Sequence, residues 1–158
     1  MPYEATFRLL TPVAMVERKD FVVSSRKLLE FDSITPVPLL MGEWCTLDSV
    51  YKLDRAGNPG VPPGPWCLFA ELGRSDTQGI AEGKAPVLFQ NSYWAETKIF
   101  AGHPVLGAPL EVANVSYPAG VTRSGLQTHG VGTNPVIGYV TKVDTDNGGW
   151  LQFQQCMY

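Results

Sequence analysis

The carboxy-terminal stretch, residues 134–155 (NPVIGYVTKVDTDNGGWLQFQQ), constrains the fold more than any other part of the sequence. Its first half is rich in β-branched and aromatic residues, which suit a pleated, half-buried strand. Residues 144–149 have the composition of a turn, and in the following run Leu151 and Phe153 fall on one face of a second strand. The stretch therefore predicts a β-hairpin with one face towards a core and a mostly polar opposite face, as in a small barrel or sandwich.

Two positions in this hairpin carry further expectations. Gly138 lies inside the first strand, where a glycine marks a bulge or the close approach of another backbone. Trp150 has the same parity as Gln152 and Gln154, so we expect it on the mostly polar face.

Short strand candidates recur along the rest of the chain at intervals of roughly 10 to 20 residues, with turn signals between them. They are residues 40–53 with a break near Asp48, 66–72, 85–90, 93–100 and 110–115. The pattern predicts an all-β protein, a small β-barrel or jelly-roll-like sandwich formed by residues 40–158. Residues 121–132 are rich in turn-forming residues and are predicted as a loop.

The first 39 residues differ from this pattern. They contain four prolines and short apolar bursts without a helical stripe, which predicts an extended N-terminal arm over residues 1–39. Within it, residues 24–31 (SSRKLLEF) allow a short helix capped by serine, or a continuation of the arm into an edge strand.

Composition limits the partners of the chain. With 158 residues it forms one domain, and its charged residues make up 17%, fewer than the average of about 25% for soluble domains. The net charge is -3 and basic residues do not cluster, so we expect no nucleic-acid partner. No apolar run approaches the roughly 18 residues that span a bilayer, and no signal peptide is recognisable, so we expect no membrane partner.

Cysteine and histidine patterns give no sign of a reactive centre. Cys45, Cys67 and Cys156 are scattered, which favours buried thiols in a reducing compartment, with one disulfide as the alternative. His103 and His129 lie in turn contexts without a second ligand at a metal-binding spacing, so we predict exposed loop histidines.

The turn of the hairpin resembles the opening of a calcium loop. Asp144 and Asp146 have the spacing of the first ligands, but Gly148 and Gln155 stand where oxygen ligands are wanted. A hairpin turn is favoured over a weak calcium site. No serine-hydrolase, phosphate-binding or cofactor motif occurs, and we expect no enzymatic activity, no cofactor and no metal.

Taken together, the segments EWCTLDSVYKL, LFAELGRSDTQGIAEGK, VLFQNSYWAETKIF and NPVIGYVTKVDTDNGGWLQF resemble those of small structural proteins of tailed bacteriophages. The resemblance covers roughly residues 40–155 and rests on the pattern of strands and turns. It implies a capsid cement or decoration protein that ties major capsid protein subunits together. It also implies self-association as a dimer or trimer, no catalysis, synthesis in the bacterial host cytoplasm and a final location on the capsid exterior of the virion.

The expected contact residues follow from composition. A proline-restricted segment loses little conformational entropy on docking, and large apolar side chains anchor interfaces. The predicted contacts with the major capsid protein are Tyr3, Phe7, Leu9 and Leu10 in the arm, and Asn58, Val61, Pro62 and Pro63 in the loop at residues 54–65.

Two other functions remain open at this point. The first is a carbohydrate-binding or tail-associated adhesion module of a phage, which would use exposed Trp and Tyr side chains as platforms for sugar rings. The second is an enzyme, most naturally a glycosidase, which would need two carboxylates at catalytic separation in a cleft.

Overall fold

The computed structural model describes residues 6–24, 28, 39–47, 52–56, 66–69, 83–90, 92–117, 119–130 and 134–156. About half of these residues are in strands and none is in an α-helix, which confirms the predicted all-β class. In chain order the elements are β1 (Phe7–Leu9), η1 (Val13–Met15), β2 (Glu17–Val22), β3 (Trp44–Leu47), β4 (Leu53–Arg55), β5 (Trp66–Phe69), β6 (Lys84–Gln90), β7 (Trp94–Thr97), β8 (Pro109–Ser116), β9 (Thr122–Thr128), β10 (Gly138–Lys142), η2 (Asp144–Asp146) and β11 (Leu151–Gln155). Within these ranges no helix is long and apolar enough to cross a membrane.

The strands form two antiparallel sheets. Sheet I has the order β1-β7-β11-β10-β8-β9, and sheet II has the order β2-β6-β5-β3-β4. A curled antiparallel sheet forms a half-barrel, which fits the predicted barrel or sandwich architecture. The predicted carboxy-terminal hairpin is confirmed as the β10–β11 pair in the centre of sheet I.

In each sheet, a residue that follows one strand forms a parallel β-bridge with a strand that is not its neighbour in the sheet order. In sheet II, Val23 follows β2 and bridges Leu53 of β4, so the two outer strands of the sheet meet. In sheet I, Phe100 bridges Leu126 of β9, and the segment from Ile99 to Ala101 hydrogen bonds both backbone groups of Leu126. These bridges cover strand edges that would otherwise present unpaired backbone groups.

Two apolar cores use opposite faces of sheet II. The first core lies between the sheets, where the Trp44 and Tyr93 rings pack 6.3 and 6.5 Å from the Phe153 ring. The second core contains Cys45, which is the next residue of β3 after Trp44, together with Leu53 of β4. Because successive side chains of a strand point to opposite faces, β3 supplies both cores at once.

The details of the hairpin agree with its sequence. Leu151 and Phe153 are fully buried, as their shared parity predicted. A Cβ atom on Gly138 would lie 2.6 Å from the carbonyl oxygen of Gln154, which confirms the close approach of another backbone. The turn contains η2, and the register shifts between Val140 and Lys142.

One loop prediction is wrong. Residues 122–128, inside the stretch predicted as a loop, form β9, which pairs with β8 along its whole length. Its polar residues Arg123 and Ser124 are buried, so the strand lacks an alternating apolar pattern. Gly125 is required because a Cβ there would lie 2.5 Å from the carbonyl oxygen of Ile99, where the neighbouring segment crosses.

The described part of the predicted N-terminal arm is built into both sheets. Phe7 and Leu9 alternate with Arg8 and pair with β7, while β2 pairs with β6. Period-two alternation in so short a burst was enough to add a strand to an existing sheet. Most of the helix predicted at residues 24–31 lies outside the described residues, although Leu28 is buried in the second core.

A buried carboxylate joins the two sheets. Glu43, fully buried just before β3, accepts hydrogen bonds from Nε of Arg55 on β4 at 2.9 Å and from Nη1 of Arg123 on β9 at 2.9 Å. It also accepts hydrogen bonds from the backbone N–H groups of Leu40 and Ser124, at 2.8 and 3.1 Å. Both carboxylate oxygens are thus paired several times, which is the condition for keeping a charge in an apolar interior.

Candidate binding surface

Among the described residues, the exposed aromatic side chains Trp94 and Tyr139 lie in one line across the outer face of sheet I. Gln154 of β11 is opposite both Trp94 of β7 and Tyr139 of β10. Directly opposite residues of an antiparallel pair project from the same face, so the three side chains share that face. Adjacent strands lie about 4.8 Å apart, which places Trp94 and Tyr139 roughly 10 Å from each other.

Leu10 extends this line by one strand. Leu9 is opposite Ala95, so the next residue, Leu10, lies beside Trp94. The backbone N–H of Leu10 donates to the carbonyl of Trp94 at 2.8 Å, and the N–H of Trp94 donates to Oγ1 of Thr11 at 2.8 Å. We call Leu10, Trp94, Gln154 and Tyr139 the outer row.

The side chains of the outer row are solvent-accessible, and the backbone of Trp94 is hydrogen bonded to Leu10 and Thr11. The exposed fractions are 41% for Leu10, 51% for Trp94 and 47% for Tyr139, and Gln154 is also exposed. Exposed apolar side chains that are scattered singly are normal, whereas a contiguous exposed patch marks an interaction surface. The row therefore presents an apolar surface that needs no backbone rearrangement to be contacted.

A second, polar line runs beside the outer row. Glu96 of β7 is opposite both Arg8 of β1 and Gln152 of β11. Glu96 accepts a hydrogen bond from the side-chain amide of Asn147, which also donates to the carbonyl of Trp150 at 3.0 Å. This line is held by hydrogen bonds within sheet I and the turn of the hairpin, so its side chains are fixed before any partner arrives.

Trp150 lies on the same outer side, as its parity predicted, but it is buried. The guanidinium carbon of Arg8 lies 3.9 Å from the centre of the Trp150 ring, and the ammonium nitrogen of Lys98 lies 5.0 Å from it. Both distances are in the range of cation–π interactions. Two cations cover the ring, which leaves Trp94 as the accessible tryptophan of this surface.

The predicted contact residues separate into three groups. Leu10 is exposed and belongs to the outer row, as its predicted role requires. Leu9 is half-buried against the first core, and Phe7 is 4% exposed within it, so the contact role of Phe7 stays a prediction that its position in the core does not favour. The remaining predicted contacts lie outside the described residues, and they are Tyr3, Asn58, Val61, Pro62 and Pro63.

Trp94 and Tyr139 were missed as contact residues, although a signal was present. Trp94 has the parity of Glu96, and Tyr139 has the opposite parity to the core residue Val140. Each is thus an aromatic residue on the strand face that does not point to the core. Only the register of the strands brings the two positions to the same line.

The two histidines make single hydrogen bonds in different surroundings. His103 is exposed, as predicted, and its Nδ1–H donates to Oδ2 of the buried Asp144 at 2.8 Å. His129 is half-buried, and its Nε2–H donates to the carbonyl of Asn134 at 2.8 Å. In the part of the chain that the structure describes, no group of three or more His, Cys, Asp or Glu side chains is placed to hold a metal ion.

Two titratable groups have pKa values displaced by their surroundings. Burial lowers the pKa of Arg123, although the charge of Glu43 and the hydrogen bond to it oppose this effect. Burial raises the pKa of the Cys156 thiol, against a smaller lowering by a backbone hydrogen bond. Cys45 is buried, as predicted, and Cys156 is half-buried at the end of β11.

Comparison with known proteins adds no further constraint. No family model matches the chain, and neither does any curated protein or solved structure.

Proposed function

We propose that this chain is a virion structural protein of a tailed bacteriophage, a capsid cement protein that binds the major capsid protein and stabilises the shell. The observation that carries the proposal is the outer row, in which Leu10, Trp94 and Tyr139 are all at least 41% exposed on one face of sheet I. The resemblance of four segments to small phage structural proteins supports the same function. Self-association and a location on the capsid exterior are part of the proposal.

The physical properties of the row suit a permanent contact. Tryptophan and tyrosine dominate the binding energy of many interfaces because they bury a large area at a small entropy cost. A standard interface of about 1,600 Å² needs such anchors near its centre, surrounded by a polar rim. Arg8 and Gln152, which flank the buried Glu96 in the polar line, supply a rim on one side.

Rigidity adds to the affinity of this surface. Trp94 is held from both sides, by β11 through the sheet and by Leu10 and Thr11 through three hydrogen bonds. Little backbone ordering remains to be lost on binding, so more of the contact energy appears as affinity. On a capsid, many copies would each bridge neighbouring subunits. Their individually modest contacts would together stabilise the shell.

The test is co-sedimentation with emptied phage capsids that lack the protein. We expect the wild-type chain to sediment at a fixed ratio to capsid subunits, and the double variant Trp94→Ala/Tyr139→Ala to bind about tenfold more weakly or worse. Leu106→Ala is the matched control, because Leu106 is 69% exposed in a turn outside the row. A wild-type chain that ignores capsids would overturn the cement function, and a double variant that binds like the control would overturn the role of the row.

A second candidate function is binding of carbohydrate, and one specific observation favours it. Trp94 and Tyr139 lie on the same face, about 10 Å apart, with the amide of Gln154 between them. Planar rings that stack on sugar faces, together with an amide that hydrogen bonds hydroxyl groups, are the elements of a platform for a glycan chain. Quenching of Trp94 fluorescence by an oligosaccharide, without capsid binding, would favour this function over the first.

A further inference from the structure

We propose that Asn147 is a modification site, where the side-chain amide is lost by spontaneous deamidation, and that contacts with Glu96 and Trp150 restrain this reaction in the folded chain. The inference does not depend on the proposed function. It starts from the sequence, in which Asn147 is the asparagine that precedes a glycine, whereas the others precede proline, serine or valine.

The reaction needs only groups of the chain and water. The backbone nitrogen of Gly148 attacks Cγ of Asn147, and the side-chain nitrogen leaves as ammonia, taking the proton that the backbone nitrogen gives up. Water then opens the resulting cyclic imide at either carbonyl, which yields aspartate or isoaspartate. In balance, one amide and one water become one carboxylic acid and one ammonia. Glycine favours the attack because no Cβ stands beside its nitrogen.

The attacking nitrogen lies in an open part of the turn. Gly148 is exposed, and a Cβ atom placed on it would meet no atom within 4 Å. The N–H groups of Asn147 and Gly149 donate to the carbonyl of Asp144, whereas the N–H of Gly148 donates to none of the described residues. Solvent base can therefore reach the nitrogen of Gly148 without disturbing a strand.

The side chain of Asn147 is held away from that nitrogen in the folded chain. Its Nδ2 donates to Oε2 of Glu96 and, at 3.0 Å, to the carbonyl of Trp150. The ψ angle of Asn147 is 33°, which in an L-residue places the nitrogen of Gly148 nearly opposite Cβ across the Cα–C bond. Because the imide requires both on the same side, ψ must rotate and the side-chain amide must leave its acceptors first.

Glu96 makes this restraint specific. It is 7% exposed on β7, where pairing with Arg8 of β1 and Gln152 of β11 fixes its backbone from both sides. A carboxylate is a stronger hydrogen-bond acceptor than a neutral group. The reaction therefore proceeds from a turn that has opened locally, and its rate measures how often the turn opens.

The product would not fit the place of Asn147. Aspartate has acceptor oxygens where the amide of asparagine has donors, so two carboxylates would face each other beside the carbonyl of Trp150. Isoaspartate also lengthens the backbone of the turn by one carbon atom. Either product should loosen the connection between β10 and β11, beside the outer row.

The experiment follows deamidation at mildly alkaline pH by peptide mapping. Rates are measured for the folded chain, for the chain unfolded in guanidinium chloride, and for a synthetic peptide of residues 145–150 (TDNGGW). We expect equal rates at Asn147 in the unfolded chain and the peptide, and a rate at least about tenfold lower in the folded chain. Asn114 is the internal reference, because it is exposed but precedes Val115 and should keep its amide. An unfolded chain that keeps its amide at Asn147 would overturn the site, and equal rates in the folded chain and the peptide would overturn the restraint.

Two variants test whether Glu96 restrains the reaction. Glu96→Ala removes one acceptor of the Asn147 amide, so the folded chain should react about fivefold faster while the unfolded rate stays the same. Thr141→Ala is the matched control, because it removes a hydrogen bond of 2.9 Å to Gln152 in the same hairpin and leaves Asn147 in place. Equal acceleration by both variants would show that general loosening of the hairpin, and not Glu96, sets the rate.

A pair of variants tests the same contact without depending on how Glu96→Ala folds. Asn147→Asp imitates the product and should lower the melting temperature by roughly 2 to 4 °C. Asn147→Asp/Glu96→Gln exchanges the amide and the carboxylate, so it should recover most of this loss. A double variant that melts no higher than the single variant would overturn the assigned contact.

Discussion

Glu43 and Arg123 are 80 positions apart in the chain, and they form a buried ion pair in which Nη1 lies 2.9 Å from Oε2. Arg55 binds the other oxygen of the same carboxylate at 2.9 Å. One carboxylate thereby connects β4 of sheet II with β9 of sheet I. Its removal would leave Arg123, whose side chain is 5% exposed, as a buried charge without its anion.

We therefore predict that Glu43→Gln lowers the free energy of unfolding by about 3 to 5 kcal/mol, the usual cost of breaking a buried ion pair. Equilibrium unfolding in urea measures the change. Glu111→Gln is the matched control, because Glu111 is also a buried glutamate but accepts its hydrogen bond from the neutral amide of Gln127 at 2.7 Å. Equal losses in the two variants would contradict a special role for the ionic contact.

The crossing of β9 by the segment after β7 gives a second prediction. Gly125→Ala should lower the free energy of unfolding by about 1 to 3 kcal/mol or more, because overpacking forces neighbouring atoms to move. The added Cβ would lie 2.5 Å from the carbonyl oxygen of Ile99 and 2.6 Å from Cγ2 of Val115. Gly130→Ala adds the same methyl group where no atom lies within 4 Å, so its unfolding curve should match that of the wild type.

Substitutions in the outer row should affect partner binding without changing the stability of the fold. Trp94→Phe and Tyr139→Ala alter side chains that are about half exposed, so each should change the free energy of unfolding by less than about 0.5 kcal/mol. Trp44 and Trp150 are buried and Trp94 is 51% exposed, so the acrylamide quenching that is lost in Trp94→Phe reports on Trp94. A bound partner should protect this component in the wild-type chain but not in Trp94→Phe. Unchanged quenching in a saturated complex would show that the partner binds elsewhere.

The thiol of Cys156 should react slowly at neutral pH. Its pKa is raised by burial, and the thiolate is the reactive form, so alkylation of the folded chain should reach half of its maximal rate at a higher pH than alkylation of the unfolded chain. The sign for stability follows from linkage. The folded state holds this proton more tightly, so the contribution is complete below the unfolded pKa and disappears as pH rises through the folded pKa.

Urea unfolding between neutral and alkaline pH measures this effect. The free energy of unfolding should fall more steeply with pH in the wild-type chain than in Cys156→Ser, which lacks the titrating thiol. Parallel curves, or alkylation rates that coincide in the folded and unfolded chains, would contradict the assigned environment.

The strands that were predictable carry their own pattern. Leu151 and Phe153 alternate with glutamines in β11, and a glycine-rich turn precedes them, so a local rule sufficed. β9 was missed because Arg123 and Ser124 are polar residues whose partner, Glu43, is distant in the chain. A polar residue in a core is predictable only when its partner is known.

The candidate surface was predictable only in part. Leu10 follows from its apolar character in an N-terminal burst, but Phe7, three residues earlier, has the same character and belongs to the core. The two residues point to opposite faces of sheet I, and only the register of pairing with β7 shows which face is buried. The line from Trp94 to Tyr139 likewise exists only through the shared neighbour Gln154.

The two neighbouring residues Trp44 and Cys45 enter different cores, so β3 is a wall common to both. A shift of the β3 backbone would therefore displace side chains in both cores. Trimming the N-terminus would remove β1 from one sheet and β2 from the other. Truncation before β3 is therefore expected to lower the stability of both sheets at once.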